Sequence, residues 1–94
     1  TYIDDIAKGI IASTKLNKKR KKFEIYNIGN GKPVYLKKCI NILGKILKKE
    51  IKMNYLPIQM GDMLKTYANT KKFNSHYNFK CKISLDSGLK KFIN

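Results

Sequence analysis

Two short stretches decide what this chain can fold into. FEIYNIGN at 23–30 and EIKMNYLP at 50–57 carry strand-like patterns, and the rest reads as helix or turn. In the first, Phe23 and Ile25 alternate with Glu24 and Tyr26, the period of two that a strand with one covered face requires. The second ends at Pro57, which cannot continue a hydrogen-bonded ladder. A two-stranded ribbon is marginal in water. Strands this apolar call for further partners, so the sequence predicts a small α/β unit that belongs to something larger.

Helical patterns surround the strands. Ile3, Ile6, Ala7, Ile10 and Ile11 fall on one face at the 3.6-residue period. Asp4 and Asp5 sit in the first turn of that helix, where its dipole favours negative charge. Adjacent helical residues point about 100° apart, so the pair does not converge on a substrate. Leu36, Ile40, Leu43 and Leu47 line a second helix, with Cys39 and Ile46 beside them. NTKKFNSHYNF reads as a short third helix with Asn69 or Thr70 as its N-cap, and Ser84 can cap a last helix faced by Leu85, Leu89 and Phe92 or Ile93. The order is helix, strand, helix, strand, helix, helix, one partial domain over residues 1–94 without internal repeats. The chain opens on Thr1, almost directly in a helix. The expectation is that the natural protein continues upstream, a processed N-terminus being the other reading.

Composition removes several classes. Twenty-one basic residues against six acidic give a net charge of +15, which invites a nucleic-acid reading. Only Arg20 is arginine, however, and the lysines are spread along the chain apart from KKRKK at 18–22. Lysine lacks the planar fork that reads bases and phosphates bidentately, so no nucleic-acid partner is expected. No run of about 18 apolar residues exists, and no membrane partner or signal peptide is expected. Cys39 and Cys81 have neither metal nor redox spacing. Cys39 reads as a buried free thiol, His76 as a surface histidine, and the compartment as reduced and cytoplasmic. No metal site is expected. GNGKP at 29–33 is a turn, without the spacing of a phosphate-binding P-loop or of a dinucleotide fingerprint.

TYIDDIAKGI, YNIGNGKPVYL, NYLPIQMGDMLKTYANTKKF and KISLDSGLKKF stand in an order and spacing that resembles the C-terminal portion of nucleotide-sugar epimerases and dehydratases. These are extended short-chain dehydrogenase/reductases, and UDP-glucuronate 4-epimerases of capsule and lipopolysaccharide synthesis resemble the chain most. The resemblance implies an NAD-dependent isomerase, a homodimer in its complete form. Its Rossmann half, absent here, binds NAD and carries the catalytic groups. No catalytic residue is expected in this chain: YLKK and YANTK both miss the Tyr-x-x-x-Lys spacing.

What this portion is expected to supply is a grip on the UDP-sugar. By the resemblance, Asp62 in the Gly61–Asp62 pair accepts hydrogen bonds from ribose hydroxyls, Gly61 lets the backbone come close, Gln59 faces the diphosphate, and Val34 neighbours the nucleotide. The chain departs from the family where Met63, Leu64 and Lys65 follow the Gly-Asp pair, where Asn69 replaces an aspartate, and where Tyr35 replaces a capping serine. A 4,6-dehydratase or a decarboxylating relative remains open, as does the identity of the UDP-sugar. The rival readings are a small lysine-rich nucleic-acid-binding protein and a gene fragment without function.

Overall fold

The computed structural model describes residues 1–15, 18 and 21–94. It consists of four helices, α1 (Ile3–Ser13), α2 (Leu36–Leu47), α3 (Lys71–Tyr77) and α4 (Leu85–Ile93), each where the period predicts one. The polar connection TKLNKKRKK lies partly outside the described residues, as do Arg20 and Lys19 of its basic cluster.

Local chemistry sets the helix ends. Ser84 Oγ accepts the Ser87 N–H at 3.1 Å and caps α4. Thr70 occupies the N-cap position of α3 without a side-chain capping bond, while Asn69 Oδ1 accepts the Lys71 N–H at 3.2 Å. Tyr35 heads α2 with no side-chain cap. That helix closes at Lys48, a residue in the left-handed region (φ 52°), whose N–H reaches the carbonyls of Gly44 and Lys45.

The two expected strands are absent among the described residues. Segments 23–30 and 50–57 run between helices without a ladder, so the described architecture is helical rather than α/β. The reason is the lack of a neighbour. A strand exists only by bonding to another about 4.8 Å away, and nothing described lies alongside either segment in that way.

The dimensions tell the same story. The radius of gyration is 16.8 Å, against about 12 Å for a compact domain of this length. The extents are 51 × 35 × 14 Å, and the short one is little more than the diameter of one helix with its side chains. Stable domains bury a face between two layers; here there is one layer, with α2 packed beside α4.

A single layer explains which residues face outward. The alternation at 23–28 is real but its phase is inverted. Phe23 and Ile25 are 81% and 72% exposed, while Glu24, Tyr26 and Ile28 turn toward the rest of the chain. The apolar stripe of α1 is likewise turned outward at Ile3, Ile10 and Ile11, and the packed side is Asp5 and Gly9. Gly9 is required there: a Cβ on it would stand 2.9 Å from Ile28 Cγ2 and 3.3 Å from Phe79 Cε1.

The core centres on Phe73, 1% exposed and the only buried apolar side chain among the described residues apart from glycines. Its ring meets Tyr26 and Phe79 edge-on, both at 5.6 Å, and Tyr77 tilted at 4.9 Å. Tyr26 Oη lies 2.9 Å from His76 Nδ1, so His76 is half-buried and bonded, not the surface histidine expected. Beside it Lys72 pairs with Glu24 and also donates to the Ile25 carbonyl at 3.2 Å. Thus α3 holds the first extended segment by an aromatic cluster and one ion pair.

The hydrogen bond from Lys72, helped by the charges of Lys72 and Lys21 against a smaller opposing effect of burial, holds the Glu24 carboxyl below its ordinary pKa of 4.5. A carboxyl depressed on folding stabilises the protein above its unfolded pKa, and that stability is lost as pH falls through the folded one. The urea midpoint is therefore expected to drop on acidification below about pH 4.5. Part of that drop should vanish in Glu24→Gln, as followed by circular dichroism across a pH series; an identical acid profile for the variant would count against the pair.

Candidate functional site

Asp62 stands in a four-residue turn. The Asp62 N–H donates to the Gln59 carbonyl at 3.1 Å, and the Gln59 N–H donates back to Asp62 Oδ2 at 3.1 Å. Gly61 takes φ +96°, a left-handed value that side-chain-bearing residues reach only with strain. All three residues are exposed.

The distribution of acids sets Asp62 apart. Asp86 pairs with Lys90 at 2.7 Å and Asp4 with Lys91 at 3.1 Å, while Glu24 pairs with Lys72. Asp5 is buried against backbone: its Oδ2 accepts the Lys82 N–H at 3.0 Å and the Ile83 N–H at 2.8 Å. Among the described residues three of the six acids, Asp5, Glu50 and Asp62, have no ion pair, and of these only Glu50 and Asp62 are exposed. In a chain of net charge +15, an exposed carboxylate without a lysine partner is available for another donor.

A cleft of about 440 Å³ opens nearby along the chain. The 29–34 turn supplies Gly29, Gly31 and Val34 to its walls, and Tyr67, Ser84 and Phe92 face it from the other elements. Thr1 Oγ1 accepts the Asn30 N–H at 3.1 Å and fixes one rim. The Asp5 bonds to residues 82 and 83 tie α1 to the strand of chain that carries Ile83 and Ser84 into the lining.

Of the four residues singled out from the sequence, the structure therefore groups three. Gln59, Gly61 and Asp62 share one turn, and Val34, 48% exposed, lines the cleft, whose walls do not include the other three. The link between them is short: Thr66, four residues beyond Asp62, is in the lining, a reach of at most about 14 Å.

Asp5 was missed as a site-building residue, because an acid in a first helical turn reads as a dipole partner. Its spacing of four from Gly9, the small residue that marks a close approach, was the available signal. Near it, burial and then the Asp5 charge push the Cys81 thiol up, which keeps it protonated and a poor nucleophile. Cys39 is half-buried and free, as is Cys81. Among the described residues no group of three or more His, Cys, Asp and Glu is placed to hold a metal ion. No described helix is long and apolar enough to cross a membrane.

Comparison with known proteins gives a consistent set of relatives. The chain is 42% identical over 94 residues to an uncharacterized protein of Methanocaldococcus jannaschii, covering 100% of this chain and 28% of that protein. It is 39% identical over 95 residues to the UDP-glucuronate 4-epimerase of Thermodesulfobacterium geofontis, again covering 100% of this chain and 28% of the relative. It is 38% identical over 104 residues to UDP-glucuronate 4-epimerase 5 of Arabidopsis thaliana, with 99% and 24% covered. The chain thus spans only about a quarter to a third of these proteins, and the matched region is their C-terminal part. No family model and no solved structure matches the chain.

Proposed function

From the premise that this chain is homologous along its whole length to the C-terminal portion of UDP-glucuronate 4-epimerases, we propose that it is the part of a UDP-sugar epimerase that grips the nucleotide. UDP-glucuronate is the substrate the relatives favour. The observation that carries the reading is the Gly61–Asp62 turn within that homology, with a carboxylate that no described lysine takes. An ionised carboxylate only accepts hydrogen bonds and can receive two donors, which suits the vicinal hydroxyls of a ribose. Gln59 would face the diphosphate from the same turn, Gly61 would give the ligand access to the backbone, and Val34 would cover the base from the cleft wall.

The isomerase chemistry belongs to the remainder of such an enzyme, along with NAD, the catalytic groups and the homodimer contacts. The residues here do not fit NAD. GNG at 29–31 neither follows a described strand nor opens a helix, and α2 begins only at Leu36. The 94 residues alone would not turn over substrate. Within the complete enzyme, segments 23–30 and 50–57 would find the strand partners they lack here and restore the α/β character of the subdomain.

The test is a chimaera in which this chain replaces the matching C-terminal segment of the Thermodesulfobacterium geofontis relative. It is expected to bind UDP in calorimetry, and Asp62→Ala should weaken binding by roughly tenfold to 150-fold. That range corresponds to about 1.5–3 kcal/mol for lost charge-assisted bonds. An unchanged affinity sinks the role of Asp62.

A further inference from the structure

We infer that the Gln59–Asp62 turn is a mount that orients the Asp62 carboxylate, with the Gln59 backbone N–H and Gly61 as its positioning elements. For the identity of the ligand, this rests on the nucleotide-grip reading above. An exposed aspartate on a loop ordinarily samples several side-chain rotamers. Here Oδ2 is held by the Gln59 N–H at 3.1 Å, while the Asp62 N–H closes the same four residues through the Gln59 carbonyl at 3.1 Å. The two bonds are reciprocal, like those of a capping box, and together they fix the carboxylate relative to the backbone. No described residue hydrogen-bonds Oδ1. One oxygen is thus used for orientation and the other is presented to a ligand hydroxyl.

Ordering the carboxylate before the ligand arrives removes part of the entropy cost of binding. The arrangement also selects the ligand group: an ionised carboxylate rejects phosphate and welcomes a donor. It therefore gives Gln59 a second role through its backbone, independent of what its side chain touches.

Gly61 makes the mount possible. At φ +96° it carries the turn through the left-handed region, and a Cβ there would meet nothing within 4 Å. In the free chain an alanine at 61 therefore perturbs backbone conformation and no packing, and its mirror-image isomer fits the observed φ.

The native cysteines at 39 and 81 bracket the turn, so the chain can be assembled from three peptides joined at those positions, with L- or D-alanine at 61. The first readout is the Gln59 amide resonance of the 94-residue chain. It is expected to move with protonation of Asp62, to stop doing so in Asp62→Asn and in the L-alanine variant, and to do so again with D-alanine. The second is UDP affinity in the chimaera. It should fall about fivefold to thirtyfold with L-alanine, from the strain of a left-handed L-residue, and recover at least in part with D-alanine, any remaining loss measuring the added methyl against the ligand. A Gln59 amide indifferent to Asp62 overturns the mount even if Asp62→Ala weakens UDP binding. An intact amide response with UDP affinity insensitive to both Asp62→Ala and Gly61→Ala overturns it as a ligand-positioning device, and the nucleotide-grip reading with it.

Discussion

Phe73→Ala is expected to leave the chain largely unfolded at room temperature. Truncating a fully buried phenylalanine costs about 3–5 kcal/mol in lost transfer energy and cavity. A domain of this size commonly has only about 5–10 kcal/mol in total, and a one-layer structure stands at the low end. Phe73 is 1% exposed and touches three rings, Tyr26 from the first extended segment and Tyr77 and Phe79 at and just beyond the end of its own helix. No other described apolar residue larger than glycine is buried, so no second core takes over. Urea unfolding followed by circular dichroism should give a midpoint near zero denaturant, whereas Phe73→Leu should retain a measurable transition. A loss below about 1 kcal/mol would mean that the aromatic cluster is not what holds α3 to the first extended segment.

The second large effect is expected at Asp5, and its neighbour serves as the control. Asp5 is 2% exposed and accepts the backbone N–H groups of residues 82 and 83. Asp5→Ala removes two charge-assisted bonds and strands two donors, for roughly 3 kcal/mol of lost stability. Asp5→Asn keeps an acceptor but not the charge and should cost about half of that. Asp4, one residue earlier, makes an ion pair with Lys91 between half-exposed side chains; removing it should cost less than about 1 kcal/mol. Thermal melts of the three variants decide the matter. Equal losses at positions 4 and 5 would return both acids to the role of dipole partners that the sequence alone suggests.

The helices were legible because a 3.6-residue period is intrinsic to each of them. Ser84 was readable as a cap and bonds as one, and Asn69 supplies its side chain to the start of α3. Which way the elements face was not legible. Ile3, Ile10 and Ile11 form the stripe that periodicity marks as inward, yet they point out; Phe23 and Ile25 do the same. A period fixes the phase of an element only relative to whatever covers it, and the covering layer is not among these residues. The strands fail for the same reason, since a ladder is a property of two segments. In the candidate site, the Gly61–Asp62 turn was readable from its dipeptide. The cleft was not, because Thr1, Tyr67, Ser84 and Phe92 come together across nearly the whole chain.

The attachment of the first residues to the last helix has a topological consequence. Tyr2 packs where Gly88 leaves room, Asp4 reaches Lys91, and Asp5 holds residues 82 and 83. The first turn of α1 and the stretch from Lys82 through α4 therefore meet along one seam. If that seam is bridged by a flexible linker and the backbone opened instead in the exposed run around Lys52, the seam contacts are expected to persist. Such a rearranged chain would carry the Asp62 turn close to its new beginning. The packing of α1 on α4 would then depend on their contacts rather than on the order in which they follow one another in the chain.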